Sequence, residues 1–234
     1  MRLDKFLVSQ GVGTRKEVQS LVKSGTVTVD GVVVKKSDLK IDENSSSVAV
    51  NGKEISYMEY VYIVMNKPQG CVSATEDNRE TTVIDLLPKE LRRKGLFPAG
   101  RLDKDTTGLL IITDDGDFAH KMLSPKHHVD KTYVAELSGD ATEEMVENFR
   151  KGIVFADGTV CKSAKLVINE ENPRKIRVTI SEGKFHQVKK MFLTQGVKVE
   201  SLERISIGGF NLPKNLPQGE ARIMQSDEVS SVLL

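Results

Sequence analysis

Residues 100–113 read GRLDKDTTGLLIIT. Leu109, Leu110, Ile111 and Ile112 form an unbroken apolar run between Gly108 and an acidic string (Asp114, Asp115, Asp117). A short run of this kind predicts a strand buried on both faces. Arg101, Asp103, Lys104 and Asp105 precede it in a turn-like stretch. A solvated loop is the ordinary reading of such charges. The other reading is that one carboxylate, held at the mouth of a core strand, does chemistry.

The segments around this strand set its fold class. "YVYIVMNKP" predicts a strand ended by Pro68, and "KTYVAEL", "AKLVIN" and "KIRVTIS" predict three more. "DFAHKMLSP" reads as a helix with an Asp at its N-cap. "ATEEMVENFRKG" reads as a helix capped by Thr142 and stopped by Gly152, and "GKFHQVKKMFLTQG" as one ending at Gly196. "FADGTV" is a hairpin turn. Strands outnumber helices without regular alternation, which predicts an α+β domain over residues 58–234 with a mixed, mainly antiparallel sheet.

Residues 1–57 read as a separate small module. Leu3, Phe6, Leu7 and Gln10 have helical spacing. Thr14 with Glu17 three residues later makes a capping box for a second helix, with Val18, Leu21 and Val22 inward and Gly25 at its end. Asp30-Gly31 and Asn51-Gly52 are hairpin turn pairs between β-branched runs. Residues 52–60 read as a linker. On the second helix Lys16 and Lys23 share a face with Ser20, with Arg15 beside them and Lys5 within reach from the first helix. A stripe of cations without an acid suits phosphate contacts, although a solvated charged face has the same pattern.

Composition narrows the class. The chain has 234 residues, a formal net charge of +1, 38% hydrophobic and 29% charged residues, as expected of a globular protein. Its N-terminus lacks the apolar core of a secretory signal, and no run is long enough for a membrane span. Cys71 and Cys161 lack C-x-x-C spacing and read as reduced thiols, so a cytoplasmic location is expected. The motifs of dinucleotide, P-loop, zinc-protease and serine-hydrolase sites are all missing. His127-His128 is a poor start for a zinc site, and "TDDGD" reads better as a capped turn than as a Mg²⁺ site. No metal and no cofactor are expected. A lone aspartate can act without them if it lies in a positively lined cleft. Lys67, Lys131, Lys184, Lys189 and Lys190 recur in separate segments that would have to converge on Asp103.

Residues 1–50, through "RLDKFL" and "TRKEVQSLVKSGTVTVDG", resemble the S4 RNA-binding module. "AGRLDKDTTGLLIITDDG" resembles the signature of pseudouridine synthases that modify ribosomal RNA. "NKPQG", "SPKHHVDKTY", "TISEGKFHQVKKMF" and "IGGF" resemble its companions in the same order. Joined to an S4 module, the set resembles the subfamily acting on small-subunit (16S) ribosomal RNA.

The resemblance implies a single catalytic aspartate, Asp103, acting on a flipped-out uridine. It implies that Tyr133 stacks on the target base and that Lys189 pairs with Asp103. Lys184 and Lys189 stand where the family often has arginine, so charge is supplied without a bidentate fork. The expected RNA contacts are Lys5, Arg15, Lys16, Lys23, Lys67, Arg101, Lys131, Lys184, His186 and Lys190. For several of these the bland reading stays open: Tyr133 as a core aromatic, Lys189 as a solvent-facing lysine, His186 as one helix face, Arg101 as a loop-orienting residue. Asp105 is expected to be structural, capping the turn with Thr106 or Thr107, and Gly108 to allow close backbone packing.

The reaction so implied breaks the bond between ribose C1′ and N1, turns the uracil and rejoins it through C5. Covalent attack and ribose proton abstraction by Asp103 are both open. The expected partner is small-subunit ribosomal RNA, free or in an assembling 30S particle, and the chain is expected to be a monomer. The alternatives are a large-subunit (23S) target, a non-catalytic RNA-binding assembly factor, and a carboxylate glycosidase. The last needs two facing carboxyls, and Asp103 and Asp105 would point apart in an extended segment.

Overall fold

The computed structural model describes every residue except Pro125. The chain divides into two compact units, Met1–Val61 with Pro88–Leu96, and Tyr62–Leu87 with Phe97–Leu234.

The first unit carries two helices, α1 (Leu3–Ser9) and α2 (Arg15–Ser24), and four short strands, β1 (Val27–Val29), β2 (Val32–Val33), β3 (Val48–Val50) and β4 (Lys53–Glu54). Its local grammar is the expected one. The Glu17 carboxylate accepts from Thr14 N at 2.7 Å and the Thr14 hydroxyl accepts from Glu17 N at 3.4 Å, closing the capping box. Gly25 ends α2 with φ +77°. Both turn pairs, Asp30-Gly31 and Asn51-Gly52, have positive φ throughout, as a two-residue hairpin between right-twisted strands requires. The strands pair antiparallel in the order β2-β1-β3-β4 over a core of Leu3, Phe6, Leu7, Val18, Val22 and Val27. The stretch expected to be a linker is shorter than its composition suggests. Residues 53 and 54 form β4, and Ile55 and Tyr57 pack against this core.

The second unit is built on a nine-stranded sheet. In chain order its elements are β5 (Tyr62–Lys67), β6 (Phe97–Ala99), β7 (Thr107–Thr113), α3 (Gly116–Leu123), β8 (Lys131–Leu137), α4 (Glu143–Lys151), β9 (Lys165–Ile168), β10 (Lys175–Ile180), α5 (Gln187–Leu193), β11 (Val199–Ile207), β12 (Phe210–Asn211), β13 (Ala221–Ile223) and α6 (Ser226–Ser231). The order is β13-β5-β7-β11-β8-β10-β9, with β12 on β11 and β6 on β7. Every pairing is antiparallel except β7 with β11. The apolar run lies centrally in β7, and Leu109, Leu110, Ile111 and Ile112 are fully buried. Asp115 caps α3 by accepting from Phe118 N at 3.0 Å, and Thr142 caps α4. α3 ends at Leu123, and Pro125, the last residue of the segment read as this helix, lies outside the described residues.

The short elements β6, β12, β13 and α6 are not in the reading of the sequence, and two longer ones depart from it. β11, nine residues long, was not expected. Its buried residues are Leu202, Arg204, Ser206 and Ile207, so two of four buried side chains are polar and the alternation is masked. α5 starts at Gln187, because His186 has φ +54° and residues 184–187 form a turn closed by Gln187 N donating to the Lys184 carbonyl at 3.1 Å. No helix among the described residues is long and apolar enough to cross a membrane.

Candidate active site

Asp103 stands in the turn that enters β7. Thr106 N donates to the Asp103 carbonyl at 3.1 Å, which closes the turn. Lys67, at the end of β5, is fully buried beneath it. Its ammonium donates to the carbonyls of Pro68 (3.0 Å), Asp103 (3.1 Å) and Thr106 (3.0 Å). On the other side Ser73 donates to the Leu102 carbonyl at 2.9 Å and accepts from Leu102 N at 3.0 Å. The backbone around Asp103 is therefore fixed by two side chains from a different part of the chain. Burial pushes the Lys67 ammonium below the ordinary lysine value, with Cys71, Asp105 and Asp103 opposing it.

Lys67 was expected to touch RNA, and that expectation is corrected: a fully buried ammonium whose donors are spent on carbonyls has none for a phosphate. Lys67→Met is expected to leave those carbonyls unpaired at about 1–3 kcal/mol for each buried group. Amide exchange of residues 103–107 should rise sharply and turnover should fall with it. Protection and turnover both at wild-type levels would show that the ammonium does not hold the loop.

The Asp103 side chain is 29% exposed and faces an ammonium and an imidazole. Lys189 Nζ lies 3.1 Å from Oδ2, and His186 Nε2 lies 3.4 Å from Oδ1. Lys189 also donates to Asp105 Oδ1 at 2.5 Å, so one ammonium bridges both carboxylates. The turn brings the two acids to the same cation, contrary to the expectation that they point apart. Asp105 makes no cap with Thr106 or Thr107; it is the second anchor of Lys189. The hydrogen bond from Lys189 holds the Asp105 carboxyl below its usual range. Burial pulls the Lys189 ammonium down, but the bonds to Asp105 and Asp103 outweigh it and leave it raised.

The turn before α5 presents His186 and Lys184, and the first turn of α5 presents Lys189. Glu182 is buried and accepts from Lys162 N (2.9 Å), from Gln187 Nε2 (2.8 Å) and from the Lys184 ammonium. Gln187 Oε1 in turn accepts from Lys184 N at 2.9 Å. Burial pushes the Glu182 carboxyl up, yet the Lys184 ammonium and these N–H donors outweigh it and leave it lowered. The apex of this braced turn carries His186 and the 70%-exposed Phe185, whose rings stack at 3.8 Å between centroids.

Asp103, Arg101, Lys131, Tyr133, Lys184 and His186 line one cleft of about 800 Å³. Arg204 lines it as well, and Lys189 joins Asp103 and Tyr133 in a smaller adjoining recess lined by Ile180, Val188 and Leu202. Tyr133 comes from β8 with its ring mostly buried, and the Arg204 guanidinium lies 6.0 Å from the ring centroid. Lys190 stands outside both, over the rings of Phe185 (5.3 Å) and Phe155 (5.5 Å). Lys131 lines the cleft but is buried, with its ammonium on the Val129 carbonyl at 2.8 Å. Lys5, Arg15, Lys16 and Lys23 are exposed on the first unit, and Arg15 Nε lies 3.9 Å from the Asp4 carboxylate. Four residues of the site escaped the sequence: Ser73, Glu182, Phe185 and Arg204. Among the described residues no group of three or more His, Cys, Asp or Glu side chains is placed to hold a metal ion.

A carboxylate fixed by the backbone, bridged by lysine and facing a tyrosine across a nucleotide-sized cleft defines the class. Residues 61–194 match the RNA pseudouridylate synthase family and residues 1–46 match the S4 domain. The chain belongs to the RNA pseudouridine synthases and carries an S4 domain; its reaction is the isomerisation of uridine in RNA to pseudouridine. It is 45% identical to an uncharacterised RNA pseudouridine synthase of Bacillus subtilis, covering 98% of this chain and 97% of that one. It is 43% identical to ribosomal small subunit pseudouridine synthase A of Vibrio cholerae (99% of each chain) and 38% identical to the enzyme of that name from Escherichia coli (100% of each). A crystal structure of a pseudouridylate synthase superposes with a TM-score of 0.68 at 34% identity, covering 99% of both chains.

Proposed function

We propose that this enzyme isomerises a uridine of small-subunit ribosomal RNA, with Asp103 as its catalytic carboxylate. The observation that carries this reading is the placement of Asp103. Backbone bonds fix its main chain, Lys189 and His186 orient its side chain, and it opens onto the cleft that contains Tyr133. The relatives named for the small ribosomal subunit match over their full length, which favours that RNA.

In this reading the target uridine leaves its stack at a cost of a few kcal/mol, and Tyr133 receives the base. Arg101 and Lys184 sit toward solvent in the cleft, where they meet phosphates. The exposed Lys5, Arg15, Lys16 and Lys23 of the S4 unit supply sequence-independent contacts to the RNA backbone. Asp103 acts at the ribose, as nucleophile at C1′ or as base on a ribose proton; both routes use the same carboxylate. After the C1′–N1 bond breaks, the uracil turns and C5 bonds to C1′; the C5 proton then departs and N1 gains one. Substrate and product have the same atoms. The enzyme works as a monomer in the cytoplasm, on free RNA or on an assembling 30S particle. A mass in solution that rises with concentration would contradict the monomer.

RNA labelled with tritium at uracil C5 tests the substrate. Release from small-subunit RNA or its particle, at one site, supports the reading. Release from large-subunit RNA alone moves the target, and tight binding without release from either favours an assembly factor. Tyr133 gives a separate prediction. Aromatic stacking contributes about 1–3 kcal/mol per base, so Tyr133→Ala should slow single-turnover isomerisation by about 5- to 150-fold while Tyr133→Phe retains most activity. Equal losses in the two variants would assign the work to the hydroxyl.

A further inference from the structure

We propose that Arg204, seconded by Lys131, stabilises the negative charge carried by the uracil once its bond to ribose has broken. The proposal rests on the isomerase reading above and adds a residue to it.

Arg204 and Lys131 are 3% and 5% exposed. Arg204 lies directly across from Tyr133 in the β8–β11 pairing, and Lys131 lies two residues before Tyr133 on β8. The strand period therefore places all three on one face of the sheet, and all three line the cleft of Asp103. The Arg204 Nε donates to the Leu109 carbonyl at 2.7 Å, while Nη2 is buried without a hydrogen-bond partner among the described residues. Among the described residues the Lys131 ammonium bonds only the Val129 carbonyl. Among the described residues neither cation is paired with a carboxylate. Burial and the charge of Arg204 pull the Lys131 ammonium down to about 8, against a weaker opposing pull from the exposed Asp130.

Two neighbouring cations buried without an anion are costly, since desolvation is not repaid by pairing. A purely structural arginine would be expected to place its remaining donors on carbonyls or an acid. Here the open side is the substrate cleft, and the missing negative charge belongs to what enters it. When C1′–N1 breaks, the electron pair stays with N1 and spreads onto O2 and O4. The charge is neutralised when C5 bonds to C1′, after which C5 loses its proton and N1 takes one up. A fixed guanidinium beside the ring that receives the base meets this transient charge without reorganising. A nucleotide phosphate is the other anion available. It is better served by Arg101 and Lys184, which are reached by water, than by a guanidinium buried against Tyr133.

The test compares wild type with Arg204→Met on two RNAs of identical sequence, one with uridine and one with 5-fluorouridine at the target. Fluorine withdraws electrons and makes the base a better leaving group. With no C5 proton to lose, that substrate is followed by the disappearance of 5-fluorouridine from a nuclease digest. Removing one preorganised donor for a developing anion costs about 10²–10³-fold. Arg204→Met should lose single-turnover rate on that scale with uridine, bind RNA within about threefold of wild type, and recover at least about tenfold of the loss with 5-fluorouridine. A loss in affinity that matches the loss in rate would make the pair a phosphate anchor and overturn the proposal. Equal rate losses on both RNAs would reduce Arg204 to a support for Tyr133 and overturn it too. Lys131→Met is read in the same way and decides the matter if Arg204→Met does not fold. Wild type inert on both RNAs would instead remove the isomerase reading.

Discussion

Replacing Asp103 with asparagine is expected to lower C5-tritium release by about 10²–10⁴-fold, the range over which a positioned acid–base group acts, with melting temperature and RNA affinity near wild type. The geometry separates the two effects. The turn is held through main-chain atoms: Lys67 and Thr106 bond the Asp103 carbonyl, and Ser73 bonds the neighbouring Leu102. The side chain carries none of that load and keeps its size as an amide. Lys189 retains Asp105 as a partner at 2.5 Å, so the cation stays in place. Asp105→Asn is the matched control. It leaves the 3.1 Å contact between Lys189 and Asp103, and its loss should stay below about tenfold, the scale of a partly exposed ion pair. A reversed order, with Asp105→Asn inactive and Asp103→Asn active, would transfer the catalytic role to the second carboxylate.

The largest effect on stability is expected at Gly108, where β7 begins its parallel pairing with β11. Gly108 has φ +97°, and a Cβ placed there would stand 2.3 Å from the Arg204 carbonyl oxygen and 2.9 Å from Arg204 N. Neither atom can yield, because both belong to the backbone of a central strand. Overpacking and left-handed strain together put Gly108→Ala on the order of 3–5 kcal/mol destabilised, a large part of a typical domain's stability. Gly158→Ala isolates the strain: φ is +82° there, but nothing lies within 4 Å of the added carbon. Urea midpoints should fall far more at Gly108 than at Gly158. Similar shifts would mean that the two strands are free to separate. The same approach sets the position of Arg204 across from Tyr133, so the glycine also fixes the wall of the cleft.

The N-terminal unit was legible because its signals are local. A capping box, a terminal glycine and two turn pairs act within a few residues, and each adopts the expected conformation. The buried run of β7 was legible for a similar reason, since four large apolar side chains in a row have few other places to go. β11 was not, because Arg204 and Ser206 occupy inward positions that pattern reading reserves for apolar residues. The start of α5 was hidden by His186, whose left-handed backbone is set by the braces around Glu182 and Gln187. In the site, Asp103, Tyr133 and Lys189 were reached through motif resemblance, and the fold brings them together. Of the supporting residues, Ser73, Glu182, Phe185 and Arg204 were not reached, and Lys67 was reached with the wrong role. Whether Lys67 meets a phosphate or three carbonyls depends on a loop 36 residues away closing over it, which no local pattern encodes.

The most direct test of the account is the fate of the uracil. A small-subunit RNA fragment carrying the mapped site is incubated with stoichiometric wild-type enzyme, and the digested nucleosides and any free base are quantified by mass spectrometry. The account predicts that one uridine is replaced by one pseudouridine of equal mass, with no free uracil and no change with Asp103→Asn. Uracil in solution, in proportion to the uridine lost, would make the enzyme a glycosidase and contradict it.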